Sequence, residues 1–357
     1  MKVLVITKTV KKDSGWGRYS SSVVEEYKNF GIDYRVITEG EELLPLNSFF
    51  LFIKNCLGVR RISKEFDIVH AFDGWPYGVY AWFSTIGTNK KLFINAIGTY
   101  SVAPLNDLFK GLLLKIAYKN SNAVFAISNF LKEKILSLVS LKNIHTVYLA
   151  SSDFPHLSQL EIDGYKSRFG ISGVSPIILT VGEIKDRKGQ YEVVEAIEIL
   201  KNKYPNILYI MVGSIERNKG YTGEINNFIL KKSLQKNIKI VSDAKNDSDL
   251  VFFYNIADVF VLNAKKNDRH FEGFGIVMLE AASFGKAVIG VSGTALEETM
   301  KDGLNGLLIR DQSKEGISET MKKVLVNKDK YASNSINFRN NFSWKKTASE
   351  YVKYYEK

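Results

Sequence analysis

The chain has 357 residues, enough for two buried cores at ordinary domain size. Its 45% hydrophobic and 24% charged residues are those of a globular protein and exclude a disordered or collagen-like chain. The net charge of +11 is spread over both halves, which argues against a dedicated nucleic-acid arm and suits anionic lipid headgroups or clefts that hold diphosphates.

Cys56 is the sole cysteine, so an intrachain disulfide and cysteine-based metal sites are excluded. His70, His145, His156 and His270 show no ligand spacing and are expected to be structural. No metal and no cofactor is assigned. The apolar run at the N-terminus is too short for a signal peptide and reads as a first strand. No stretch approaches the roughly eighteen apolar residues of a membrane span, so a cytoplasmic protein is expected.

In chain order, short apolar strands alternate with helical patterns. Strands are predicted at Val3–Thr7, Tyr34–Thr38, Asp67–Ala71, Lys91–Ala96, Ala123–Ile127 and Ile144–Leu149. Helices are predicted at Arg18–Phe30, Ser48–Lys64, Leu105–Lys119 and Phe130–Val139. The rhythm then repeats, with strands at Ile177–Val181, Leu208–Val212, Ile238–Val241, Val259–Leu262, Ala287–Val291 and Leu307–Ile309. Helices near Gln190–Lys201, Gly223–Gln235, Asp249–Ile256 and Ile276–Phe284 lie between them. This α/β pattern implies two Rossmann-like domains with parallel sheets, 1–170 and 171–341. Gly170, Gly173 and Pro176 place the join within Tyr165–Pro176.

Ligands of open α/β sheets bind beyond the carboxyl ends of the strands, so the loops there carry the functional reading. Gly15, Gly17 and Arg18 follow the first strand in Ser14-Gly-Trp-Gly-Arg18, a glycine loop that opens a helix and can face a phosphate, or a plain turn. The third glycine of a dinucleotide fingerprint is missing, so a nicotinamide dehydrogenase loses ground. His70-Ala-Phe-Asp73 ends the third strand, and Gly98-Thr-Tyr-Ser101 follows the fourth. Gly182 follows the seventh, and beyond it Lys185, Arg187 and Lys188-Gly189 offer cations to a diphosphate. Asp247-Ser-Asp249 matches a metal-binding D-x-D but stands where a helix starts, and capping explains it better.

The most informative stretch is Glu272-Gly273-Phe274-Gly275-Ile276, running on to Glu280. The glycines let backbone approach a ligand. A helix from Ile276 offers its first N–H groups to an anion. Two carboxylates can accept hydrogen bonds from sugar or ribose hydroxyls. Two further helices, Ser48–Lys64 and Leu105–Lys119, couple apolar runs to Arg60, Arg61, Lys110 and Lys115. They either pack on the sheet or lie on a membrane surface.

Glu272 to Glu280 resembles the E-x7-E signature of retaining glycosyltransferases of GT-B fold, family 4 in particular. Lys188-Gly189, Asp302-Gly-Leu-Asn-Gly306 and Phe342-Ser-Trp are similar to that family's patterns. The resemblance implies two facing Rossmann-like domains and a C-terminal helix, 342–357, that crosses back to the first. It implies a nucleotide diphosphate sugar donor and a glycan or polyprenyl-linked acceptor, as in cell-surface polysaccharide synthesis. No obligatory metal and no nucleic acid is implied, and peripheral association with a membrane is left open. By the family's pattern Glu280 holds the ribose hydroxyls, and Glu272 lies near the transferred sugar as a nucleophile or an orienting group. Gly182, Arg187, Lys188, Gly273, Phe274, Gly275 and Ile276 complete the donor side, with Lys188 and Glu272 catalytic. Gly15, Gly17, Arg18, Asp73 and Gly98 fall on the acceptor and phosphate side. The chain departs from the family at Ile97, where a histidine is usual, and at Glu183, where an arginine is usual, so Arg187 or Lys185 is left to supply the second charge. A non-catalytic partner of the same fold and a nucleotide-sugar epimerase are the rival readings.

Overall fold

Runs of β-branched residues and leucine such as Val3-Leu-Val-Ile6 and Ile177-Ile-Leu-Thr-Val181 bury both faces, as strands covered on each side by helices must. A computed structural model describes the chain apart from Asp13, His156, Lys245, Asp268 and Arg269. The expectation for His156 therefore lies outside the described residues. The strands are β1 (Lys2–Thr7), β2 (Asp33–Thr38), β3 (Ile68–Ala71), β4 (Lys91–Ala96), β5 (Ala123–Ala126) and β6 (Ile144–Thr146). The second set is β7 (Ile177–Val181), β8 (Leu208–Val212), β9 (Ile238–Val241), β10 (Val259–Val261), β11 (Ala287–Val291) and β12 (Gly306–Ile309).

They form two six-stranded sheets, ordered β2-β1-β3-β4-β5-β6 and β12-β11-β10-β7-β8-β9, with parallel pairing throughout. Both are doubly wound. The direction of winding reverses between β1 and β3 in one sheet and between β7 and β10 in the other. Such a switch point opens a crevice at the carboxyl ends of the strands.

The chain divides into one unit of Met1–Ala150 with Phe342–Lys357, and another of Ser151–Asn341. The expected join within Tyr165–Pro176 is thus displaced. A helix not expected there, Gln159–Phe169, belongs to the second unit, where Tyr165 and Phe169 stack on Phe252 at 5.2 and 5.6 Å. Arg168 also pairs with the buried Asp249 at 2.6 Å. Gly170, left-handed at φ 61°, ends this helix and does not begin a linker. The residue that caps Asp247–Ile256 is Asn246, whose side chain accepts from the Asp249 N–H at 2.8 Å.

In the first unit the closing helix, Trp344–Tyr355, is held by buried polar contacts. His70, fully buried on β3, faces Asn95 Oδ1 with Nε2 at 2.8 Å, and its Nδ1 meets the Tyr355 hydroxyl, which also bonds Tyr27. Lys91 donates to the Tyr355 carbonyl at 2.8 Å, and Thr347 to that of Tyr148 at 2.7 Å. Burial pushes the His70 pKa from 6.5 down to about 3, although the Asn95 bond works the other way. The unfolded chain then binds the extra proton first. Stability is full above pH 6.5, falls as pH drops below it, and levels off near 3. At ~1.4 kcal/mol per pH unit, the contribution of His70 alone should fall by ~2 kcal/mol between pH 6.5 and 5. Urea unfolding across that range checks this. A His70→Gln variant isolates the effect: the wild-type chain should lose ~2 kcal/mol relative to it between pH 6.5 and 5, and a constant difference would contradict the assignment.

Candidate active site

Beyond β7 the chain makes one tight turn, Asp186–Lys188, before the helix Gln190–Leu200. Gly182, at φ 130°, and Gly189, at φ 65°, bracket it. A Cβ on Gly213 would lie 2.0 Å from the Gly182 carbonyl oxygen, so the neighbouring loop requires glycine where the backbones cross. The Lys188 side chain folds back over Gly182 and is buried.

Its Nζ reaches Glu272 Oε2 at 2.8 Å. Arg187 Nη1 reaches the same oxygen at 2.8 Å and also donates to the Phe271 carbonyl at 2.8 Å. Burial alone would raise the Glu272 pKa, but the charges of Lys188 and then Arg187 outweigh it and hold the carboxyl at about 2. Burial lowers the Lys188 pKa, and the Glu272 charge opposes that shift. One carboxylate thus gathers two cations. An ammonium has three donors and a guanidinium five, so this pairing leaves both with capacity for an anion.

Lys185 turns to Glu183, which also accepts from Asn218 Nδ2 at 3.2 Å. Of the two cations left open at that place, Arg187 is the one whose side chain reaches Glu272. Glu183, the departure from the family pattern, has its own partners and does not reach Glu272 among the contacts described.

The β7 and β10 loops are stitched together at the switch point. Lys265 N–H donates to the Arg187 carbonyl at 2.9 Å, and Asn263 Nδ2 to that of Gly189 at 3.3 Å. Gln312 Nε2 holds Asn263 Oδ1 at 3.0 Å. Lys265 bonds Asp186 and lies 2.7 Å from Glu192. These positioning residues escape sequence reasoning because each comes from a distant segment and none stands in a motif.

Gly273, Phe274 and Gly275 lead into the helix Ile276–Ser283, whose first turn has no side-chain cap. Gly275 is left-handed at φ 80°, and a Cβ there would stand 2.4 Å from Leu296. Glu280 lies in the second turn, as expected, and is buried. Tyr254, stacked on Phe284, donates its hydroxyl to Glu280 Oε2 at 2.7 Å.

In the first unit, Ser14 caps the helix Gly15–Asn29 through the Gly17 N–H at 3.2 Å. Arg18 Nε donates to the Lys12 carbonyl at 3.0 Å, fixing the loop after β1. Asp73 Oδ1 accepts from the Gly74 N–H at 2.7 Å and from the Ser101 hydroxyl, which ties the β3 loop to the turn that Gly98 opens. Burial raises the Asp73 pKa to about 7 against those bonds. Asp73 and Gly98 are thus brought together, and Gly15, Gly17 and Arg18 shape the β1 loop beside the same switch point.

The pattern of the family described as glycosyl transferases group 1 matches residues 162–341, half of the chain. The chain belongs to this family. A glycosyltransferase of Methanocaldococcus jannaschii, itself described as uncharacterized, is 28% identical over 77% of the chain and 70% of its own length. The capsular polysaccharide biosynthesis glycosyltransferase CapM of Staphylococcus aureus is 26% identical over 60% of the chain, which spans only 55% of CapM. Among solved structures, HepE of Anabaena, in complex with UDP and glucose, superposes with a TM-score of 0.80 at 16% identity, over 99% of this chain and 98% of HepE. A glycosyltransferase of Rickettsia africae gives 0.79 at 21% identity, over 99% and 98%. The fold of this group 1 glycosyl transferase is GT-B. Among its described residues no group of three His, Cys, Asp or Glu side chains is gathered, and no helix is long and apolar enough to cross a membrane.

Proposed function

We propose that this glycosyl transferase moves a sugar from a nucleotide diphosphate sugar to a hydroxyl of a glycan or lipid-linked acceptor with retention at the anomeric carbon. The assembly of cell-surface polysaccharide is its setting. One observation carries the reading: Lys188 and Arg187 converge on Glu272 at the β7/β10 switch point. The anomeric C–O bond breaks toward the diphosphate, and the acceptor oxygen forms the new bond as its hydroxyl loses a proton. Charge grows on the leaving diphosphate and oxocarbenium character on the sugar.

Lys188, Arg187 and the N–H groups at the start of Ile276–Ser283 meet the diphosphate charge without an obligatory metal. Asp249 of the D-x-D run is engaged by Arg168, in keeping with that assignment. Glu280 takes the ribose hydroxyls, and Glu272 orients the transferred sugar. The names of CapM and of the HepE complex support the setting and the donor class. Thermal stabilisation and slow hydrolysis across a panel of UDP-, GDP- and ADP-sugars, in EDTA, test the proposal. One donor that both stabilises the protein and is hydrolysed is expected, with the sugar released or transferred as the donor's own anomer. Binding without turnover, even with lipid-linked acceptors present, would favour a non-catalytic partner.

A further inference from the structure

Behind Glu280 stands an aromatic wall to which the donor reading gives no role. Glu280 is buried, and its last side-chain torsion, between a tetrahedral and a planar carbon, is intrinsically loose. A pair of ribose hydroxyls needs a carboxylate that stays in one plane, because a hydrogen bond prefers to enter near that plane. The Tyr254 hydroxyl supplies the restraint by donating to Oε2 at 2.7 Å. A phenol O–H on an ionised oxygen is a charge-assisted bond, about twice as strong as a neutral one. It uses only one of roughly four acceptor positions on the carboxylate.

Tyr254 is itself seated by other rings. It lies near the end of the helix Asp247–Ile256 and is fully buried. Its ring stacks on Phe284 at 5.3 Å with 13° between the planes, and tilts against Phe260 of β10 at 6.0 Å. A further ring is that of Phe154, 6.2 Å from Tyr254 and 5.7 Å from Phe284. Phe154 belongs to no helix or strand and stands in the segment 151–155 that opens the second unit. Arg339, at the end of the helix Lys328–Arg339, ties this segment down. Its Nε donates to Ser151 Oγ at 2.9 Å, its Nη2 donates to the Ser151 carbonyl at 3.3 Å, and the guanidinium also pairs with Asp153. Phe154 is half-buried against a fully buried tyrosine, so it shields the bond to Glu280 from water. A hydrogen bond in such surroundings is electrostatically stronger.

We propose that Tyr254 is a positioning residue for donor binding: it fixes the Glu280 carboxylate in the plane that the ribose hydroxyls meet, and Phe154 keeps that bond dry. The proposal rests on the reading in which Glu280 takes the ribose. It adds the side chain that makes this carboxylate selective, and it makes the segment that opens the second unit a part of the donor site.

Calorimetry on the full chain compares UDP, GDP and ADP, each beside its 2′,3′-dideoxy form, and the tightest pair is carried forward. The unaltered protein should prefer the ribose form at least about tenfold. Tyr254→Phe keeps the ring and removes only the bond. Its preference should drop to about threefold or less, with the dideoxy form bound within about twofold of the original affinity, which also shows that the variant folds. Phe154→Leu should lose about threefold of the preference. In a Glu280→Ala background, adding Tyr254→Phe should change the affinity for neither form, because the hydroxyl acts through the carboxylate. A tyrosine that merely fills the core would, when altered, weaken both forms alike, and that result overturns the proposal. So does a full preference kept by Phe154→Leu, or a further loss in the Glu280→Ala background. Equal binding of the two forms by the unaltered protein, or none, overturns the ribose reading of Glu280 and this inference with it. A preference that survives Tyr254→Phe overturns this inference alone.

Discussion

Replacing Lys188 with alanine is expected to lower donor turnover roughly 100- to 1,000-fold, the range seen when one preorganised donor to a developing negative charge is lost. The argument is positional. Lys188 is buried against Gly182, its Nζ is fixed 2.8 Å from Glu272, and its loop is clamped by Asn263 and Lys265. Little reorganisation is then needed when the diphosphate gains charge. Losing an interaction that strengthens in the transition state lowers kcat, and losing one of equal strength in the bound donor raises KM. A rise in KM with kcat unchanged would reduce Lys188 to a binding group. Lys185→Ala is the control: that ammonium is engaged by Glu183, so turnover should stay within about twofold, the ordinary effect of losing a partly exposed ion pair. Glu272→Ala is expected to bind donor without turning it over. Unchanged turnover in that variant would remove Glu272 from the mechanism.

How far these features are legible beforehand depends on the range of the interactions behind them. Strands are local signals. The six expected in each half all form, five of them (Lys91–Ala96, Ile177–Val181, Leu208–Val212, Ile238–Val241 and Ala287–Val291) with unchanged bounds. Long apolar runs between polar turns leave few alternatives. Helices of polar composition are less visible. Gln159–Phe169 and Lys328–Arg339 bury only one and two side chains, so their periodicity is faint. Missing the first of these displaced the join between the units.

In the site, Glu272, Glu280 and Lys188 stand out because their spacing repeats a known pattern. The preference for Arg187 over Lys185 is invisible in one dimension, since it depends on which side chain the turn at Asp186–Lys188 aims at Phe271 and Glu272. Tyr254, Asn263 and Gln312 are in the same position.

Gly189→Ala should be among the damaging single methyls of the second unit, because it meets a backbone clash and a left-handed conformation together. Gly189 is left-handed at φ 65°, and an added Cβ would stand 2.0 Å from the Asn263 carbonyl oxygen and 2.7 Å from its Nδ2. The left-handed backbone costs an alanine ~1–2 kcal/mol, and overpacking against backbone that cannot swing aside adds ~1–3 kcal/mol. A loss of ~3 kcal/mol in the stability of that unit is expected. Relief by moving the loop would shift Lys188, the adjacent residue, and a displacement of about 1 Å at a reacting centre can cost roughly 100-fold. Gly223→Ala is the matched comparison. It lies in the helix Lys219–Lys231 with nothing within 4 Å of the new methyl. There alanine should stabilise by ~0.5–1 kcal/mol, because it removes freedom from the unfolded chain only. Urea unfolding of both variants, with donor hydrolysis measured under native conditions, separates the possibilities. If Gly189→Ala destabilises but keeps full turnover, the Lys188 loop tolerates displacement, and the preorganisation assigned to Lys188 is wrong. If stability and turnover both fall while Gly223→Ala improves stability and leaves turnover alone, the close approach of Gly189 to Asn263 is what holds the cation in place.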